Sequence, residues 1–216
     1  MERDNFSSLN PFPENSSESF LLSTDKDLFI SWTEQVLDSN FLYVTKLEGD
    51  SWSNKKLITK GTDWFVNWAD FPSISYNNLS NSIFSFHLQK SSEETFSYDV
   101  NYHINSKETW KDMNKIHDDN TFSEHGFVSS IPYKDGFMVS WLDGRNTYGV
   151  GDHGHAKGAM TIRSAILDSN GNIVNQNVID EMVCECCQTS MAISGDIPIV
   201  VYRDRSEGEI RDIYYS

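Results

Sequence analysis

"GFMVSW", residues 136–141, decides how this chain is read. It is a short apolar run, opened by glycine and closed by an aromatic ring, and so has the length and composition of a buried strand rather than a helix. Three other stretches share its ending: "LFISW" (28–32), "IFSFH" (83–87) and "PIVVY" (198–202). Trp32, His87, Trp141 and Tyr202 lie 55, 54 and 61 residues apart. Independent hairpins have no reason to keep so constant a period, and a repeated unit does.

Each ending is followed by a loop and a second alternating run: "FLYVTKL", "FSYDVNYHI", "MTIRSAIL" and "IRDIYYS". In the first two copies a tryptophan then stands six residues before an isoleucine, Trp52 to Ile58 and Trp110 to Ile116. With leading strands such as "PSISY" and "FVSSIPY", each unit has about four antiparallel strands, the make-up of a propeller blade. The expectation is an all-β chain. Residues 1–15 form an extension, and a β-propeller domain spans 16–216, with blades near 16–60, 61–120, 121–182 and 183–216, the last incomplete. An open sheet edge invites aggregation, so either residues 1–20 close a four-bladed ring or the chain is the first part of a larger propeller. The prolines and turn formers of "NPFPENSSES" make a poor closing strand and favour the larger ring.

The 216 residues carry a formal charge of -15. That balance repels phosphate backbones and anionic lipid, which excludes nucleic acid and membrane surfaces as expected partners. No apolar run approaches a membrane span, and the first residues lack a signal-peptide core. All the lysines lie at or before Lys157, whereas five of the six arginines, Arg145, Arg163, Arg203, Arg205 and Arg211, follow position 140. Forked, planar cations therefore gather in the last third.

The blade pattern, with "NSKETW" (105–110) and "EGDSW" (48–52) as degenerate Asp-boxes, resembles the sialidase-like propellers that carry BNR repeats. Longer stretches, "DWFVNWADFPSIS", "TFSEHGFVSS", "WLDGR", "VCECCQTS" and "VYRDRSEGEIRDIYY", resemble a group of largely uncharacterised bacterial exo-alpha-sialidase-like proteins. The resemblance implies a six-bladed propeller that continues past Ser216, a periplasmic or secreted location, and a carbohydrate or glycoconjugate ligand.

A sialidase grips the substrate carboxylate with three arginines and uses a Tyr-Glu pair and an acidic residue for the chemistry. The family's opening Arg-Ile-Pro segment is missing. The candidates for a carboxylate clamp are Arg145, Arg203 and Arg205, of which the last two share one face of an extended strand. "RDRSEGEIRD" also reads as a self-neutralising surface ladder. Asp70, flanked by Trp64 and Trp68, is the candidate acid, because aromatic walls desolvate a carboxyl, and Trp68 is a candidate sugar platform. Glu124 and His125 stand in "SEHGF" as a supporting carboxylate and a candidate base, pointing opposite ways if the segment is a strand.

Cys184, Cys186 and Cys187 are all the cysteines in the chain. In an extended segment Cys187 faces away from the other two, so three thiolates meet only if the backbone turns. A disulfide is the first expectation. A Cu or Zn site completed by His153 or His155 is the second; no cofactor is required by the sequence. Three functions follow: a sialidase-like exo-glycosidase, a non-catalytic glycan- or protein-binding propeller, and an exported metal-binding propeller. Oligomeric state is not legible.

Overall fold

The computed structural model describes residues 12–107, 109–149 and 158–216. All regular structure among them is β-strand, arranged in four antiparallel sheets in chain order. The first sheet contains β1 (Ser16–Ser23), β2 (Leu28–Val36), β3 (Ser39–Glu48) and β5 (Lys56–Gly61), with the two-residue β4 (Ser51–Trp52) on the tip of β3. The second runs β6 (Ile74–Asn77), β7 (Ser82–Lys90), β8 (Tyr98–Ser106), β9 (Thr109–Lys115). The third runs β10 (His125–Tyr133), β11 (Gly136–Asp143), β12 (Thr161–Leu167), β13 (Ile173–Asp180). The fourth has β14 (Ser190–Ser194), β15 (Ile197–Arg203) and β16 (Ile213–Tyr215).

The recurring endings all fall on second strands, β2, β7, β11 and β15. Their chemistry repeats as well. Trp32 Nε1 donates to Glu34 Oε1 at 2.8 Å and Trp141 Nε1 to Asp143 Oδ2 at 2.9 Å, an aromatic donor and an acid two residues on, along one face of a strand. Gly136 opens its strand because a Cβ there would stand 1.9 Å from the Leu167 carbonyl oxygen of neighbouring β12.

Three apolar cores lie between successive sheets. Phe29, Leu42, Val44, Ile58, Trp64 and Ile74 join the first to the second. Phe84, Phe86, Val100, Phe137, Val139 and Trp141, among others, join the second to the third. Phe127, Leu142, Ile162, Val200 and Tyr202 join the third to the fourth. A sandwich would have one core shared by two layers; a core per neighbouring pair is radial packing.

The leading strands complete the picture. Ser75 on β6 bonds Ser130 on β10 at 2.6 Å, and Ser129 on β10 bonds Thr189, just before β14, at 2.7 Å. Phe20, Ile74, Val128, Ser130, Thr189 and Met191, drawn from all four sheets, line a cavity of about 340 Å³ between these strands. Residues 16–23, which overlap the turn-rich stretch 10–19, are the leading strand of the first sheet and pair with β2.

Candidate functional site

The site is built at the ends of the leading strands. Asp70 closes a turn before β6, its N–H bonded to the Asn67 carbonyl at 3.3 Å while Asn67 Oδ1 accepts the Ala69 N–H at 2.8 Å. Its side chain points inward and is only 2% exposed. Oδ1 accepts the Phe127 N–H at 2.9 Å, and Oδ2 lies 3.3 Å from the Tyr98 hydroxyl. The chain can wrap this closely only because residue 126 is glycine: a Cβ there would stand 2.0 Å from Asp70 Oδ2. The next residue, Phe127, holds φ at 52°, and the β10–β11 register shifts between Gly126 and Ser129.

The Tyr98 hydroxyl also lies 2.7 Å from Glu124 Oε1. One phenol proton cannot be donated to two carboxylates, so the arrangement is satisfied when one of the two acids carries a proton. Burial pushes Asp70 up to about 7, against the opposing bonds from Phe127 and Tyr98, and the charges of Glu124 and Glu18 add to the rise. Burial also raises Glu124, which is half-buried. Phe65 stacks on Tyr98 at 4.1 Å between ring centres and fixes the phenol.

A third carboxyl comes from the first sheet. Glu18 sits on β1 at a bulge, with φ at 54°, half-buried, and its Oε2 accepts the Thr33 hydroxyl at 3.2 Å. Burial raises it to about 7, with Thr33 opposing. Glu18, Asp70 and Glu124 thus come from consecutive blades, on or beside a leading strand, with Asp70 sensing the other two. Glu18 was missed in the sequence because it stands in a serine-rich run after two prolines.

Asp70 was the expected acid, but at 2% exposure it cannot reach a bound sugar; its contacts are Tyr98 and the Gly126–Phe127 turn. Trp64 is core, stacked on His87 at 4.4 Å, whereas Trp68 is 86% exposed. His125 is wholly buried. Its Nδ1 faces the carbonyl oxygens of Tyr98 and Ser123 at 3.2 and 3.1 Å, and Nε2 lies 3.2 Å from Asp119. A base needs access to its substrate, and His125 has none.

Arg145 belongs to the same buried network. Its guanidinium bonds Asp143 at 2.8 Å and Asp118 at 2.7 Å and lies 3.3 Å from Asp119, so it is taken up by carboxylates of its own chain rather than free for a substrate's. Although burial opposes it, bonding to His117, His125 and Thr121 holds Asp119 far below the usual carboxylate range. The group could offer metal ligands as Asp99, His117 and His125 or as Asp119, His125 and Asp143, within 4.8 Å in each case. The His117 and His125 rings are parallel within 2° at 3.8 Å, so their in-plane lone pairs do not converge on one ion, and Arg145 already neutralises Asp119 and Asp143.

Arg203 and Arg205 stand at the exit of β15. Arg205 bonds Glu185 and, at 2.6 Å, Glu209, much as the surface-ladder alternative has it, while Arg203 Nη1 lies 3.7 Å from Cys187 Sγ. The cysteine segment does turn, at 185–186, and brings the three Sγ atoms within 4.8 Å of one another. All three are free thiols. Burial opposes it, but the Cys186 backbone, the Cys187 thiol and Arg211 together lower Cys184 below its ordinary value. His153 and His155 lie outside the described residues.

No protein-family model matches the chain, and no curated protein matches it significantly. Solved structures do. A thermostable family-43 glycoside hydrolase aligns with 96% of this chain and 70% of its own, at a TM-score of 0.52 and 8% identity. A protein of unknown function from Dyadobacter fermentans DSM 18053 aligns with 89% of this chain and 50% of its own, at a TM-score of 0.52 and 11% identity. The fold is a β-propeller. Among the described residues no helix is long and apolar enough to cross a membrane.

Proposed function

We propose that this propeller acts on carbohydrate as a glycoside hydrolase, with Glu124 as proton donor and Glu18 as the second carboxyl. The observation that carries the reading is the Tyr98 hydroxyl set between Asp70 and Glu124, which makes one proton too few for ionised partners on both sides. Glycoside cleavage needs an acid that keeps its proton at neutral pH and a second carboxyl facing it. Glu124 is half-exposed with a raised pKa and can present a proton to a leaving oxygen. Glu18, on the first blade, lies across Asp70 from Glu124 in chain order and would assist water or attack directly. Asp70 is a positioning residue: buried, it holds Tyr98 and the Gly126–Phe127 turn. Exposed Trp68, two residues before Asp70, supplies a ring face for a sugar. A propeller is shared by many activities, so the glycoside hydrolase among the solved structures adds only consistency.

The finer reading, a sialic-acid substrate, rests on the sequence resemblance alone, since Arg145 and Arg205 of the expected clamp are bonded to carboxylates of the chain itself. A panel of aryl glycosides that includes pentosides and a sialoside tests both levels. The expected result is turnover that falls about 10²–10⁴-fold in Glu124→Gln, with the smallest loss on the best leaving group because that substrate needs least protonation. Turnover no greater than that of Glu124→Gln on every substrate would remove the enzyme and leave a glycan-binding propeller, read out by glycan binding lost in Trp68→Ala.

A further inference from the structure

The cysteine turn lies at the rim of this mouth and is unused by the proposed chemistry. Cys184 is pinned by its N–H to the Arg203 carbonyl at 3.0 Å, with Val183 in a bridge to Asp204. The chain then turns, and Cys187 Sγ returns to 3.3 Å from Cys184 Sγ, with Cys186 Sγ inside the same 4.8 Å group. Two cations face the sulfurs: Arg211 Nη1 at 3.4 Å from Cys184 and Arg203 Nη1 at 3.7 Å from Cys187.

We propose that Cys184, Cys186 and Cys187 form a three-thiolate site for one Cu(I) ion. Donor type comes first: three convergent sulfurs select a soft cation, and oxygen-seeking ions are disfavoured. Donor number comes next. Among the described residues no histidine or carboxylate joins the group, and Glu185, in the same turn, is held by Arg205 and lies 3.7 Å from Arg211. Zn(II) sites close with four ligands, whereas three thiolates satisfy Cu(I). Charge supplies the last argument. Three thiolates and Cu(I) leave two negative charges, and two guanidiniums stand against the sulfurs. A disulfide would join two sulfurs, strand the third and leave both arginines facing neutral sulfur.

Loading is an exchange without oxidation: three S–H bonds break, three Cu–S bonds form, and three protons pass to solvent. The ion would also fix the rim, because Gln188, the residue after Cys187, bonds the Ala69 carbonyl beside Asp70. The site does not depend on the glycosidase reading, and its test reads metal rather than turnover.

The full chain, reduced under anaerobic conditions, is titrated with Cu(I) supplied as its acetonitrile complex, against a chromophoric Cu(I) chelator. The expected result is one copper per chain, a thiolate-to-copper charge-transfer band, and three sulfur neighbours in X-ray absorption. Cys186→Ser, at an exposed position that leaves the fold intact by circular dichroism, is expected to drop to two sulfurs. Arg211→Gln should weaken binding by about tenfold or more. The proposal is overturned by a sulfur count and copper affinity that are unchanged in Cys186→Ser, by preferential four-coordinate Zn(II) in an equimolar competition, or by a Cys184–Cys187 disulfide that survives mild reductant and blocks uptake.

Discussion

Gly126 is the residue on which the site's geometry turns. A methyl group there would meet Asp70 Oδ2 at 2.0 Å and Tyr98 Cε2 at 2.9 Å. Gly126→Ala should therefore cost about 1–3 kcal/mol, measured by urea unfolding, and should move the alkaline limb of any activity profile by loosening the Asp70 contacts. Asp70 itself gives a pH-dependent signature. Its carboxyl is raised from an unfolded 3.8 to about 7 in the fold, facing Tyr98, Glu124, Glu18 and the Phe127 N–H. Below about pH 4 both states hold the proton; between there and about 7 only the folded state does, so its stabilising contribution is lost as pH rises through that window. Asp70→Asn should lose part of that dependence, so the stability of the variant relative to the parent should climb between those pH values, with a slope of at most about 1.4 kcal/mol per pH unit per proton. An equal pH dependence in both proteins would contradict the assignment. Because the three carboxyls interact, the window belongs to the cluster. Little of this was legible beforehand. Asp70 and Glu124 could be picked out as acids, but the burial of Asp70 depends on a turn 56 residues further along the chain, and the convergence of the thiols depends on a turn that strand alternation does not suggest.

At the level of strands, the second strand of each sheet carries the legible signal. An apolar run ending in an aromatic marks β2, β7, β11 and β15; β7 and β11 are buried along almost their whole length between neighbouring blades and admit little polar alternation, whereas β15 buries only part of its run. β1 was obscured for the opposite reason. It is a partly exposed leading strand whose serines and central glutamate read as loop. The tryptophan–acid pairs give a paired prediction. In Trp141→Phe, Asp143 loses a buried donor at 2.9 Å and keeps only Arg145 and weaker neighbours, at a cost of about 1–3 kcal/mol. In Trp32→Phe, Glu34 is still held by the partly exposed Lys55 at 2.6 Å, so the loss should be smaller. Chemical denaturation of the two variants checks the order, and a larger loss for Trp32→Phe would contradict it.

Across the whole molecule, stability is distributed over interfaces between neighbours. Phe84 is fully buried between the second and third sheets, and its truncation to alanine should cost about 3–5 kcal/mol. Hydrogen exchange should show that cost in both of those sheets while the fourth responds least, since each core joins only adjacent blades. Uniform loss of protection in all four would argue for one shared core. The same radial plan brings Glu18, Asp70 and Glu124, each from a different blade, to one mouth.

The claim on which the function rests is that a carboxyl at this mouth keeps its proton at neutral pH. Carbon-13 NMR titration of side-chain carboxyls in the intact chain measures it directly. The account predicts a carboxyl resonance titrating near pH 7 that is lost or displaced in Asp70→Asn. Every aspartate and glutamate titrating at or below the ordinary carboxylate range would contradict it.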